Sequence, residues 1–175
     1  LEQYKKAVEK SPSATLYTLI GMLEDARGQT GEAEKNYRRA LELAPEAPIA
    51  ANNLAWLIAE SGRGNLDEAL TLAQKTVSRN TTVAGYFDSL GWVYFKKGLF
   101  SPAVEQLKKA VALDESAARA GGSTPNAAYR VRLASALAAS GDKTSARREV
   151  ELSLLNEKNL SAKEAEDAKN LLAAL

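Results

Sequence analysis

Five amphipathic stretches of the chain close on one phrase, a small residue near the end of a charged helical run. They are LEQYKKAVEKSP, AEKNYRRALELAP, ALTLAQKTVSRN, AVEQLKKAVALDE and ARREVELSLLNEK. Aligned on Ala7, Ala40, Thr76, Ala110 and Ser153, they recur at spacings of 33, 36, 34 and 43 residues. A period of this length constrains the fold more than any composition value, because one such unit cannot bury its own apolar face and must stack on the next.

The upstream half of each unit repeats as well. TLYTLIGMLEDARG, IAANNLAWLIAESG, GYFDSLGWVYFKKG and YRVRLASALAASG each end in a glycine suited to stopping a helix. New helix starts follow the turns: Asn65 with Glu68 resembles a capping box, Ser101 with Pro102 reads as an N-cap and first-turn pair, and Thr124 with Pro125 repeats that signature. Period-two alternation never persists, so strands are not expected. Each unit is read as helix, turn, helix.

These residues resemble the tetratricopeptide repeat family. The third unit carries the pattern almost whole, in Phe87, Leu90, Gly91, Tyr94, Gly98, Ala103, Leu107 and Ala110. The first has Tyr17, Ile20, Gly21, Ala33, Tyr37, Ala40 and Pro45, with Glu24 where the third has Tyr94. The second matches through Leu54, Ala55, Ile58, Gly62 and Ala69; the fourth keeps Leu133, Ala134, Leu137, Gly141 and Ala146 but has Arg130 where an aromatic is expected. The resemblance implies an all-α fold, a right-handed α-solenoid of stacked antiparallel helix pairs. Its wording is similar to that of bacterial members.

On that reading residues 1–12 are the second helix of a repeat whose first helix precedes them, in a fragment of a longer protein. Repeats follow at 13–46, 47–81 and 82–117, an inter-repeat insertion at 118–124, and a degenerate repeat at 125–157. Residues 161–175, opened by Ser161 and Glu164 as a capping box, form a C-terminal capping helix. Within the extra length, Ala117 to Ala120 prolong the preceding helix until Gly121 and Gly122 break it.

Composition removes several function classes. The 175 residues carry 23 Lys+Arg against 22 Asp+Glu, a net charge of +1, which gives no field for a nucleic-acid backbone. With no cysteine and no histidine, disulfides, thiolate and imidazole catalysis and the usual zinc ligands are excluded. No apolar run reaches the roughly 18 residues a membrane span needs. Adjacent acids such as Glu24 with Asp25, or Asp67 with Glu68, diverge around a helix rather than converge on a substrate.

The helical wheel then divides the third unit's first helix. Phe87, Leu90, Gly91 and Tyr94 fall within about 100° of arc, and Trp92 lies roughly 150° from its centre. Trp92 therefore stands outside its own repeat's core, together with Asp88 and Phe95 and with Lys96 at the margin. Ile49, Asn52, Trp56 and Ala59 are the equivalents in the second unit, with Glu60 at the margin, and Thr18, Met22 and Asp25 in the first. In the family this side lines the concave surface where peptides lie, so the resemblance assigns Met22, Asn52, Trp56, Asp88, Trp92, Phe95 and Lys96 to a partner-binding groove. Whether the two indoles are exposed there or covered by the adjacent repeat stays open. Some family members grip a terminal carboxylate with Lys, Asn and Arg side chains; the matching places here hold Thr18, Met22, Asn53, Gly85 and Ser89, of which only Asn53 is of that kind. An apolar or aromatic segment with a basic group to meet Asp88 is the expected ligand.

The expected function is a non-catalytic module that binds a protein or peptide, with no cofactor, metal, nucleic acid or membrane insertion. The alternative is a spacer within a larger bacterial envelope or secretion-associated protein, self-associating through Leu1, Tyr4 and Val8 of the first helix. Cytoplasm and cell envelope are both compatible with the sequence.

Overall fold

The computed structural model describes residues 1–62 and 64–175. Among them there are ten α-helices and no strand: α1 (Glu2–Lys10), α2 (Ala14–Asp25), α3 (Thr30–Leu43), α4 (Pro48–Ser61), α5 (Leu66–Arg79), α6 (Ala84–Lys96), α7 (Phe100–Gly121), α8 (Ala127–Ala139), α9 (Lys143–Leu154) and α10 (Ala162–Ala174), with a 3-10 turn at Glu157–Asn159. They form two compact units, Leu1–Thr76 and Val77–Leu175. The expected turn between Gly62 and Gly64 contains Arg63, which lies outside the described residues.

Helix pairing follows from short turns and small residues. Between α6 and α7 the chain turns on Gly98, whose φ of 75° is a left-handed conformation that side chains with a Cβ disfavour. The two helices then approach closely at Gly91, where an added Cβ would lie 2.6 Å from Leu107 Cγ and 3.2 Å from the Ala103 carbonyl oxygen. Ala103, Leu107 and Ala110 are fully buried on the facing helix. The division of α6 into a face that closes on α7 and a face that does not is thereby fixed by backbone proximity, not by hydrophobicity alone.

In the first unit α2 and α3 pair in the same way, with Tyr37 buried against Gly21. Glu24 takes the place that Tyr94 holds in α6. It is only 1% exposed; Lys5 of α1 meets its Oε1 at 2.9 Å, and Asn36 of α3 donates to its Oε2 at 2.7 Å. A carboxylate here ties three helices where an aromatic would tie two. Val8 completes the docking of α1, and Tyr4 stays exposed. Arg38 of α3 reaches Glu68 of α5 with both terminal nitrogens, Nη2 lying 3.1 Å from Oε2.

That bond corrects one reading of a helix start. Glu68 is engaged by Arg38 rather than closing a capping box, and Asn65 Oδ1 instead accepts from the Asp67 N–H at 2.8 Å. Two further starts also differ. α7 begins at Phe100 with Leu99 before it, so Ser101 and Pro102 sit inside its first turn, where proline is tolerated because those N–H groups have no intrahelical acceptor. α8 is capped by Asn126, whose Oδ1 accepts from Ala128 N–H at 3.0 Å, and not by Thr124 and Pro125. Ser161 and Glu164 do form a reciprocal capping box on α10.

In the second unit, the long α7 continues through Ala117–Ala120 and ends at Gly122 in a left-handed conformation. Its last turns are braced by α8: Asn126 N–H donates to Asp114 Oδ2 at 2.6 Å, and Arg130 bridges Glu115 and Glu149. Arg130 thus fills the aromatic's place with an ion-pair link between α7 and α9. Beyond α9, Ala168 of α10 is fully buried among Val131, Ala134 and Val150, with Leu171, Leu172 and Leu175 packed alongside.

Candidate protein-binding surface

On the first unit, the side of α2 turned away from α3 carries unusual apolar exposure. Leu19 is 36% exposed, Met22 42%, and Ile49, at the start of α4, 48%. Together with Ala14, Thr15, Thr18 and Pro48 they line an open cleft of about 320 Å³. Among the described residues, no charged side chain lines it. The hydroxyl of Thr18 is turned back onto the Ala14 carbonyl at 2.7 Å, so its methyl group is left to the cleft. Leu19 and Ile49 join Met22, although only Met22 was assigned from the sequence; their signal was present in the wheel position of Ile49 and in the LYTLIGML run.

Farther along α4, Asn52 Nδ2 donates to Asn53 Oδ1 at 3.3 Å, and Asn53 Nδ2 donates to the Tyr37 hydroxyl at 3.5 Å. This short relay leads from the surface to the core. Burial pushes the Tyr37 hydroxyl up to about 12, against the opposing pull of the Asn53 bond. Asn52 Oδ1 is itself buried and has no hydrogen-bond partner among the described residues. Such an acceptor costs free energy unless something donates to it. Trp56, one turn on, is half-buried.

The second unit is built differently. Trp92 is half-buried and lies flat against Phe95, ring centroids 4.8 Å apart and planes 8° from parallel, while Lys96 Nζ stands 4.8 Å over the indole. Phe95 also meets Phe100 at 5.7 Å and packs on the Leu107 core, so it belongs partly to the joint with α7. Trp92, Phe95 and Lys96 form one cluster at the end of α6.

Asp88 departs from its expected role. It is 4% exposed, and Arg132 of α8 donates from Nε to its Oδ1 at 2.8 Å. The basic group expected from a ligand is supplied from within the chain. Burial drives the Asp88 carboxyl above the usual carboxylate range, even with Arg132 pulling the other way. Burial also works against the Arg132 charge, but Asp88 and Glu164 outweigh it. Glu164 of α10 receives Arg132 Nη1 at 3.3 Å on Oε1, and its other oxygen accepts from the Ser161 N–H at 3.0 Å. For Glu164 burial raises the pKa, and the Ser161 bonds and Arg132 outweigh it and bring it down. Tyr129 lies against the same guanidinium, its ring centroid 5.6 Å from the charge centre. Arg132 stands where the third unit has Ser89, a place the repeat alignment marks but cannot furnish with a partner.

The geometry can be set beside known proteins. The tetratricopeptide repeat family model matches residues 18–83 and 89–164. This chain belongs to the tetratricopeptide repeat family. Among solved structures, this tetratricopeptide repeat chain is similar to MamA 41-end from Desulfovibrio magneticus RS-1, with a TM-score of 0.71 at 16% identity, over 91% of this chain and 84% of that one. It is similar also to a thermophilic tetratricopeptide repeat protein of Thermus thermophilus, TTC0263, with a TM-score of 0.69 at 17% identity, over 98% and 86% of the two chains. These likenesses concern the fold, a solenoid of helix pairs. In sequence, 58 residues are 40% identical to the probable biofilm formation methyltransferase WspC of Pseudomonas aeruginosa, 33% of this chain and 14% of that protein. The matched stretch is thus about one seventh of that relative's length.

Tetratricopeptide repeat folds generally mediate protein–protein interaction and are typically non-catalytic. No helix among the described residues is long and apolar enough to cross a membrane.

Proposed function

We propose that this chain is a non-catalytic interaction module that binds a peptide segment or partner subunit along the first helices of its repeats. The observation that carries this reading is the uncharged cleft of the first unit, where Leu19, Met22 and Ile49 stand exposed side by side. Exposed apolar groups grouped in a concavity are a common mark of a protein-binding surface. Trp56 and the cluster of Trp92, Phe95 and Lys96 supply aromatic anchors of the kind that dominate binding energy. Asp88 takes part through Arg132 rather than by meeting a ligand directly.

A random-peptide phage library selected against the native chain tests this reading. Selected peptides should lose binding at least about 10-fold to Met22→Asp or Trp92→Ala chains that keep their helix content. Peptides that bind both variants as tightly as the native chain would sink the groove assignment.

A further inference from the structure

The charge cluster of Asp88, Arg132 and Glu164 joins α6, α8 and α10, and its two carboxylates differ in kind. Asp88 is nearly sealed, its side chain 6% exposed, and holds Arg132 Nε at 2.8 Å; Glu164 is 32% exposed and holds Nη1 at the longer distance of 3.3 Å. Glu164 also has a second tie, its Oε2 bound to Ser161 N–H and Oγ at the start of its own helix. Losing Arg132 would leave that cap intact. The first turns of the helix that carries Glu164 are held by the small buried residues Ala165 and Ala168, whereas its larger anchors, Leu171, Leu172 and Leu175, pack farther along.

We infer that Arg132 is a receptor for side-chain carboxylates, occupied in cis by Glu164, and that an acidic residue of a bound segment displaces Glu164 and loosens α10. The exchange replaces one carboxylate by another on the same guanidinium. It therefore leaves no buried charge unpaired and costs little by itself. What drives it is contact made by the rest of the segment. Asp88 and Trp92 are four residues apart on one face of α6, roughly 6 Å along the helix axis. Successive same-side residues of an extended peptide are spaced about 6.6 to 6.8 Å. A segment of the form acid, any residue, aromatic can thus set its carboxylate at Arg132 while its ring meets Trp92. This rests on the groove reading and assigns the ligand's chemistry: acidic and aromatic, the reverse of the basic group that Asp88 alone suggests.

The test uses the full chain and blocked, amidated peptides of the series Gly-Asp-Ser-Phe-Gly, with Asn for Asp and with the aromatic moved to the next position. Tryptophan fluorescence measures affinity, and hydrogen exchange follows α10. Glu164→Gln keeps the capping box, which glutamine also closes. It should speed exchange in α10 without peptide and tighten the Asp peptide several-fold. The Asn and shifted peptides should bind about 10-fold more weakly than the Asp peptide. Equal affinity for Asp and Asn peptides, with binding still lost in Trp92→Ala, overturns the carboxylate receptor and leaves the groove standing. Binding that Trp92→Ala does not change overturns the groove reading itself. Absence of peptide binding even to Glu164→Gln, or α10 exchange unmoved by that substitution, overturns the latch.

Discussion

The two units expose the same side of the same kind of helix and treat it in opposite ways. On the first unit the cleft between α2 and the start of α4 is open and apolar, with no charged side chain lining it among the described residues, whereas on α6 that side is filled by the chain's own arginine, carboxylates and stacked rings. The repeat pattern is silent on this difference, because it specifies only the residues that close each pair. A surface left over by a structural period is where one repeat can become a socket and another a strut.

The largest expected effect comes from breaking the strut. Arg132→Ala leaves Asp88 buried without its cation, and should cost the second unit about 3 to 5 kcal/mol. Urea unfolding followed by circular dichroism measures it. Replacing both partners, Asp88→Leu with Arg132→Met, should recover most of that loss, since apolar side chains of similar size need no pairing. No recovery would show that the arginine acts mainly through Tyr129 and Glu164 instead.

Next in size is the close approach that the two units share. Gly91→Ala forces a methyl to within 2.6 Å of Leu107 Cγ, and Gly21→Ala to within 2.7 Å of Tyr37 Cε1. Each should cost about 1 to 3 kcal/mol by overpacking. Tyr37 is a planar ring and Leu107 a branched side chain, so the comparison measures which repeat gives way more easily. Leu107→Ala should partly rescue Gly91→Ala in the same unfolding assay. Absence of rescue would place the strain on the Ala103 carbonyl.

How much of this could be read beforehand follows from what a period contains. Leu90, Gly91 and Leu107 are placed by the repeat, and the capping box at Ser161 and Glu164 by local spacing; both stand in the structure as read. Asp88 and Arg132 are 44 residues apart, and no local rule pairs them. Their pairing joins two separate helices, α6 and α8, so a wheel drawn on α6 shows an outward acid and cannot show its cation. The misread starts at Ser101 and Thr124 have a simpler cause. Proline fits anywhere in a first turn, so it marks the neighbourhood of a helix start and not its first residue.

Smaller effects belong to the socket. Met22→Asp and Ile49→Asp change exposed side chains, and stability should move within about 0.5 kcal/mol while selected peptides cease to bind. A drop in stability comparable to that of the glycine variants would mean that the cleft is closed in solution. Glu24→Gln should speed hydrogen exchange in α1 several-fold, because the Lys5 pair is lost while Asn36 keeps an oxygen to donate to. Unchanged exchange would assign the docking of α1 to Val8 alone.

The smallest effect turns the comparison into one of sign. Arg38 holds Glu68 below its ordinary carboxylate range, outweighing partial burial, so this pair's contribution is present above the unfolded pKa of about 4.3 and is lost as pH falls through the lower folded value. Both side chains are more than a third exposed, and solvent screening keeps that contribution under about 1 kcal/mol. Asp88 is shifted the other way, because burial outweighs Arg132. Between its unfolded and folded pKa the native state binds the extra proton, so stability falls as pH rises through that window. Unfolding measured from pH 3 to 7 should show Arg38→Gln converging on the native chain as the medium becomes acidic. Asp88→Asn should remove a loss of stability that accompanies the rise in pH. If both variants changed the profile in the same direction, the Asp88 carboxylate would be held by Arg132 more strongly than burial opposes it, and the strut would be a source of stability at neutral pH in its own right.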